Sequence, residues 1–127
     1  EHGQSSLADV NTRFVGESDG ALFGYAIATP SDTDGNGAID VAISAPLSYR
    51  GGMLTGAAWY FAGPFSAGAL PASGATPYTG AIEGELFGSD LDMGGDFDGN
   101  GAPDLVIGAR NSDFSSGFAG RVYLFGG

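Results

Sequence analysis

Apolar residues along this chain come in short runs, each closed off by Gly, Asp, Asn, Ser or Pro. Short apolar runs between turn formers read as strands; helices need longer, 3.6-periodic stretches, and none here is convincing. Residues 21–29 and 86–93 form a first kind of strand, each carrying Phe-Gly. Residues 40–46 (Asp-Val-Ala-Ile-Ser-Ala-Pro) and 104–109 (Asp-Leu-Val-Ile-Gly-Ala) form a second. These runs are almost continuously apolar, as expected of strands covered on both faces. Residues 57–62 and 121–125 form a third kind, rich in aromatics, and residues 76–82 a weaker fourth with a counterpart at about 9–16. Gly/Ser-rich loops at 48–56 and 112–120 join the second kind to the third, and residues 63–75 read as a loop before the fourth.

The matched spans reflect an internal repeat, which decides the fold reading. Shifted by 64 residues, the sequence overlays itself without a gap; 14–63 against 78–127 gives 18 identities in 50 pairs. Leu22-Phe23-Gly24 falls on Leu86-Phe87-Gly88, Gly56 on Gly120 and Phe61 on Phe125. The N-terminal end matches a fourth strand, and the C-terminal end stops after a third. The chain therefore reads as two units of 64 residues, permuted by one strand. The expected division is a strand-four segment at 1–16, a first unit at 17–82 and a second at 83–127 that lacks a last strand of its own. The predicted fold class is all-β, two four-stranded antiparallel units with no substantial helix.

The longest match sets the loop Asp32 to Asp40 on the loop Asp96 to Asp104, both reading D-x-D-x-N-G-x-x-D. Side-chain oxygens recur at every second residue, and three carboxylates in so short a loop repel one another without a cation. Ca²⁺ is a hard cation that takes 6–8 oxygen ligands, and a chain winding round it offers alternate side chains inward. Asp32, Asp34, Asn36, the Ala38 carbonyl and Asp40 are the candidate ligands of one site. Asp96, Asp98, Asn100, the Ala102 carbonyl and Asp104 are those of a second. Mg²⁺ is the lesser option, because it prefers to keep its waters. The start of each loop fits an EF-hand, but that motif's closing Glu is replaced by Ile43 and Ile107, and the flanks are strands. A helical calcium switch is excluded.

Phe-Gly, then this Asp/Asn/Gly loop, then an apolar strand ending in a Gly-Ala-Pro-like triplet, resembles the FG-GAP repeat. That repeat builds the β-propeller of integrin α subunits and of many bacterial surface proteins. The resemblance covers nearly the whole chain. It departs at the triplet, which reads Ser44-Ala45-Pro46 and Gly108-Ala109-Arg110. It implies one four-stranded blade per unit, calcium in the loop between strands one and two, and an extracellular or cell-surface setting. It supplies no ligand-recognition residue. Two blades do not close a ring, since propellers run to about four to eight. The reading is therefore an excised piece, a compact exception, or a chain that assembles with copies of itself.

Composition narrows the partners. Fifteen acidic residues against four basic ones, all Arg, leave a net charge of −11. Nothing here tracks phosphates, so nucleic acid and anionic membrane surfaces are excluded as partners. The 24 glycines fit many tight turns, while 43% apolar residues are too many for disorder. Cysteine is absent, so there is no disulfide framework or thiolate metal site. No apolar run approaches the ~20 residues of a membrane helix. The start at Glu1 suggests a processed form or an excised piece.

Enzyme chemistry finds little support. Gly16-Glu17-Ser18-Asp19-Gly20 matches G-x-S-x-G, but no helix follows it and the second copy has Ile82 in place of Ser18. The one His, His2, lies near the N-terminus. Glu83 and Glu85 read as exposed charge, and Asp90 and Asp92 as solvent-facing. Trp59, Tyr60, Phe61, Tyr123 and Phe125 read as packing between units, whereas Tyr49, Phe65, Phe114 and Phe118 read as exposed contacts. The expected function is a calcium-stabilised structural or adhesion module that self-associates head to tail into a ring or filament by strand donation. The alternative is a carbohydrate- or protein-binding piece of a larger secreted protein.

Overall fold

The computed structural model describes residues 11–29, 32–112 and 119–127. In chain order its strands are β1 (Thr12–Val15), β2 (Ile27–Ala28), β3 (Val41–Ala45), β4 (Tyr49–Arg50), β5 (Met53–Leu54), β6 (Ala57–Phe61), β7 (Gly68–Pro71), β8 (Thr76–Thr79), β9 (Phe87–Met93), β10 (Leu105–Ala109) and β11 (Arg121–Phe125). One four-stranded antiparallel sheet has the order β2-β3-β6-β8 and one three-stranded antiparallel sheet the order β9-β10-β11. The only helical element among the described residues is a single 3-10 turn, Ala72–Gly74.

The 64-residue offset holds at three pairs of strands. β3 matches β10, β6 matches β11 and β1 matches β8 in both end points. Connecting bonds match too: Ser48 and Ser112 donate their N–H groups to Ala45 and Ala109, each at 3.2 Å. Gly56 and Gly120 donate in turn to Ser48 at 3.1 Å and Ser112 at 2.9 Å.

Alternation along the strands makes two cores. Between the sheets, Ala28, Ala42 and Ala58 of the first meet Phe87, Leu91, Met93, Leu105, Ile107 and Ala109 of the second. Small residues on one side let the large ones of the other interlock, as close packing requires. On the opposite face of the first sheet lie Ile43, Trp59 and Phe61, packed with Phe14, Phe23, Phe65 and Ala72. Phe14 there meets Phe61 at 4.8 Å and Phe65 at 5.0 Å between ring centroids, both edge-on. β3 and β6 are thus buried on both sides, which explains their continuous apolar runs.

Several expectations need correction. Only Ile27–Ala28 of the span 21–29 is strand. Leu22 takes φ +63° and Gly24 φ +95° in the turn that precedes it. The matching Leu86 and Gly88 take φ +58° and +95°, yet β9 runs its full expected length from Phe87. Glycine is required at 88 because a Cβ would lie 2.8 Å from both the Ala57 carbonyl oxygen and the Ser44 Cβ. The loop 48–56 holds the hairpin β4–β5. The loop 63–75 holds β7 and the 3-10 turn, and β1 pairs with β7 in parallel rather than in a four-stranded sheet. The fourth strand of the first unit stops at Thr79, not at residue 82.

Glu85 is not exposed: it is fully buried. Its Oε1 accepts from the N–H groups of Ala81 and Ile82, and its Oε2 from the Tyr123 hydroxyl at 2.9 Å. These bonds compensate the desolvation that burying a carboxylate demands. Arg121 donates to the Tyr123 hydroxyl at 3.0 Å and lies 5.6 Å from its ring centroid. The first unit builds a like cluster from other positions. Trp59, which matches Tyr123, donates Nε1–H to Glu17 at 3.1 Å, and Arg50 sits 5.7 Å from its ring centroid and 3.3 Å from Glu17. Phe65 is also corrected, being packed against the outer core rather than free. Tyr49 is exposed, as are Asp90 and Asp92. Tyr60, Tyr123 and Phe125 pack against the core between the sheets, but Trp59 and Phe61 do not pack between the units: they lie on the opposite face of the first sheet, with Phe14, Phe23 and Phe65. His2, Phe114, Phe118 and residues 1–10 of the strand-four segment lie outside the described residues.

Candidate metal centres

Each D-x-D-x-N-G-x-x-D loop follows an edge strand, β2 or β9, and runs into the buried strand after it. Position 1 organises the turn. Asp32 Oδ1 accepts from the N–H groups of Gly35 and Asn36 at 2.8 and 3.1 Å, and its Oδ2 from Gly37 at 2.7 Å. Asp96 repeats this with Gly99, Asn100 and Gly101 at 2.8, 3.0 and 2.8 Å. Gly35, Gly37, Gly99 and Gly101 all have φ between +77° and +92°, the left-handed region that glycine enters freely. Asp34 and Asp98, at position 3, accept from the N–H of Asn36 and Asn100, each at 3.1 Å. Asn36 and Asn100 accept in turn from the N–H of Ala38 and Ala102, each at 2.8 Å.

Position 9 anchors the loop to the core. Asp40 and Asp104 are fully buried at the starts of β3 and β10. Asp40 Oδ2 accepts from the Thr33 N–H at 2.7 Å, the Thr33 hydroxyl at 2.7 Å and the Tyr60 hydroxyl at 2.6 Å. Its Oδ1 accepts from the Gly63 N–H at 2.9 Å. Asp104 accepts from Phe97 at 2.5 Å, Asp98 at 3.2 Å and Gly127 at 2.9 Å. In each loop one carboxylate oxygen from positions 1, 3 and 9 lies within 4.8 Å of the other two. The structure thus brings together Asp32, Asp34 and Asp40, and separately Asp96, Asp98 and Asp104.

Burial pushes the Asp40 carboxyl up, but the hydrogen bonds from Tyr60, Thr33 and Gly63 outweigh it and hold the group below its ordinary value. The Gly127 N–H does most to lower Asp104, with Phe97 and Asp98 adding to it against the effect of burial. Tyr60 is pushed up by burial and by its bond to Asp40. A carboxyl lowered in the folded state contributes stability above its unfolded value, and that contribution is lost as pH falls through the folded value. Tyr60→Phe removes one donor, so in EDTA its acid unfolding midpoint is expected at higher pH than that of the parent chain. Circular dichroism across a titration from pH 6 to pH 2 measures the shift.

Sequence reasoning named the loop carboxylates and asparagines but missed Thr33, Tyr60, Gly63 and Gly127, which bond to them. The two glycines were findable. They match across the repeat, and both donate to the buried carboxylate two residues after the third strand. Space demands glycine at both: a Cβ on Gly63 would lie 2.3 Å from the Ile39 carbonyl oxygen, and one on Gly127 2.0 Å from that of Pro103. Thr33 and Tyr60 have Phe97 and Leu124 as counterparts, so the repeat carried no signal for them.

Comparison with known proteins places the second unit in a family. The FG-GAP repeat model matches residues 87–125. Integrin alpha-5 of Xenopus laevis is 35% identical over 104 residues, which is 80% of this chain and 10% of that protein. Integrin alpha-4 of Xenopus laevis is 39% identical over 101 residues, 73% of this chain and 9% of that protein. Integrin alpha-PS2 of Drosophila melanogaster is 38% identical over 107 residues, 81% of this chain and 7% of that protein. The chain spans a tenth or less of the length of these relatives. Residues 87–125 are therefore an FG-GAP repeat, in a chain that is similar to integrin α subunits along most of its length.

Proposed function

We propose that this chain is a calcium-stabilised structural or adhesion module of the cell surface, made of two propeller-type blades. The observation that carries this reading is the pair of carboxylate triads, bonded alike and 64 residues apart. Asp32, Asp34, Asn36, the Ala38 carbonyl and Asp40 would hold one Ca²⁺, and Asp96, Asp98, Asn100, the Ala102 carbonyl and Asp104 the other. The ion's chemistry is electrostatic: it cancels the repulsion of three close carboxylates that the loop alone leaves uncompensated. Its effect is mechanical, because Asp40 and Asp104 are also tied to the ends of the third strands through Gly63 and Gly127. A calorimetric titration of EDTA-stripped chain with calcium is expected to give two ions per chain. Asp40→Ala and Asp104→Ala should each remove one, and a titration with no heat of binding overturns the assignment.

The integrin relatives support a cell-surface setting, and no helix among the described residues is long and apolar enough to cross a membrane. Head-to-tail association of copies into a ring or filament belongs to this reading; the exposed Val122 and Leu124 on β11 support it. A protein or glycan ligand is the second reading, favoured by the exposed Tyr49 and Phe97. The role is not enzymatic. Ser18 is exposed in a turn that no helix follows among the described residues. Ser18→Ala should leave melting and calcium binding unchanged, and any esterase turnover that this variant loses contradicts the claim.

A further inference from the structure

The buried carboxylates Asp40 and Asp104 sit at matched positions of the two loops but are held differently. At loop position 2 the backbones agree: the Thr33 N–H donates to Asp40 at 2.7 Å and the Phe97 N–H to Asp104 at 2.5 Å. The side chains there do not agree. The Thr33 hydroxyl also donates to Asp40 Oδ2 at 2.7 Å, whereas Phe97 is 61% exposed. The third strands differ in the same way. Tyr60 of β6 donates its hydroxyl to Asp40 Oδ2 at 2.6 Å, while its counterpart on β11, Leu124, is 48% exposed. Among the described residues Asp104 accepts from backbone N–H groups, those of Phe97, Asp98 and Gly127.

We infer that Thr33 and Tyr60 are positioning residues for the cation of the first loop, and that through them the first site fills at lower calcium than the second. The inference rests on the calcium reading proposed above and ranks its two sites. Three donor groups converge on Asp40 Oδ2 at 2.6 to 2.7 Å. Oδ1 accepts one bond among the described residues, from Gly63, so it keeps a lone pair open to a cation. The two hydroxyls also brace each other, with Thr33 Oγ1 2.7 Å from the Tyr60 oxygen. Two hydroxyl protons thus serve three contacts. The Thr33 proton can turn from Asp40 to Tyr60 while Tyr60 still donates to the carboxylate. The Tyr60 ring packs against the core between the sheets, which fixes where its hydroxyl stands. The bracing therefore comes from outside the loop.

A buried carboxylate that swings away from its donors is left unsatisfied, so this network holds Asp40 in one orientation before an ion arrives. Hydrogen bonds that hold a metal ligand in place strengthen metal binding. The first loop then has less ordering left to undergo, and ordering is a cost that subtracts from affinity. Asp104 has neither hydroxyl, and its bond from Asp98 is long at 3.2 Å. More of the second loop's order must come from the ion itself. One effect opposes the ranking: donors to Asp40 draw charge from the carboxylate and weaken its pull on a cation. Both hydroxyls act on Oδ2, however, and Oδ1 carries a single glycine N–H at 2.9 Å in either loop. Orientation therefore decides between the sites.

Glycine amides report on the two loops separately. Gly37 donates to Asp32 at 2.7 Å and Gly101 to Asp96 at 2.8 Å. Calcium is titrated into the metal-stripped, isotope-labelled chain, and both amide resonances are followed by NMR. Gly37 is expected to reach its midpoint at several-fold lower calcium than Gly101. Thr33→Val should raise the Gly37 midpoint to that of Gly101 or above and leave Gly101 in place. Thr33→Ser, which keeps the hydroxyl, should restore the gap. Phe97→Thr combined with Leu124→Tyr gives the second loop the same pair at two exposed positions, and should lower the Gly101 midpoint. Coincident midpoints in the parent chain overturn the inference and leave the metal reading standing. So does a Thr33→Val chain in which Gly37 responds at lower calcium, because the hydroxyl then competes with the ion. So does a Thr33→Val change that moves both loops alike, which marks a general loss of stability. Amides that do not respond to calcium overturn the inference and the metal reading together.

Discussion

In millimolar calcium this chain is expected to melt roughly 15 °C or more above its midpoint in EDTA. Each loop gathers three carboxylates within 4.8 Å, and in each one of the three is fully buried. A cation that binds only the folded loop stabilises by mass action, about 2.7 kcal/mol per site at a hundredfold excess over Kd. Two such sites give about 5 kcal/mol, comparable with the whole stability of a small domain. Net charge changes as well, from −11 to −7 on adding two divalent ions, which relieves self-repulsion across the molecule. Asp40→Ala and Asp104→Ala should each halve the calcium-dependent part of the shift, read as calcium minus EDTA for each variant. Identical melting curves with and without calcium would dispose of the metal reading.

Gly56→Ala is expected to cost more than about 3 kcal/mol and to leave the chain largely unfolded at 37 °C. Gly56 has φ +85°, where a Cβ is strained, and that Cβ would lie 2.3 Å from the Phe87 carbonyl oxygen, 2.7 Å from its nitrogen and 2.9 Å from the Pro46 oxygen. All three are backbone atoms with no side chain to yield. This is also where the two units are stitched together: Gly56 bridges to Phe87, and the Phe87 N–H donates to Thr55 at 2.9 Å. Gly52 supplies the control. It has the same φ of +85°, but a Cβ there would meet nothing within 4 Å. Gly52→Ala should therefore lose only the backbone term, about 1 kcal/mol. Urea titration of the two variants separates steric from conformational cost. Equal losses would show that the contact with Phe87 yields more easily than its geometry implies.

The repeat made most of the architecture legible in advance. The second and third strands of both units were read within a residue; in the first unit their apolar runs reflect burial on two faces, whereas β11 leaves Val122 and Leu124 exposed. The Asp/Asn/Gly loops were legible because each glycine and aspartate in them meets a local backbone demand. The strand at 21–29 was read too long: only Ile27–Ala28 is strand, although Leu22 and Gly24 share the left-handed φ of Leu86 and Gly88 at the start of the longer β9. Glu85 was misread for a different reason. A carboxylate beside another carboxylate resembles surface, and the donors that permit its burial, Ala81, Ile82 and Tyr123, are two backbone N–H groups and a hydroxyl 38 residues away. Thr33 and Tyr60 escaped because their help to Asp40 is particular to one unit.

The clusters around Trp59 and Tyr123 bear on how such units can be cut and recombined. Both hold an aromatic tip between a carboxylate and an arginine, but Glu85 lies after the turn that opens its unit whereas Glu17 lies before the corresponding turn. A tandem made by repeating residues 17–80 carries the partner of each Trp within every module. One that joins modules at Leu22 severs Trp59 from its acceptor and leaves a buried indole N–H with nothing to bond. The cassette boundary in this chain is thus set by a side-chain tether rather than by the ends of its strands.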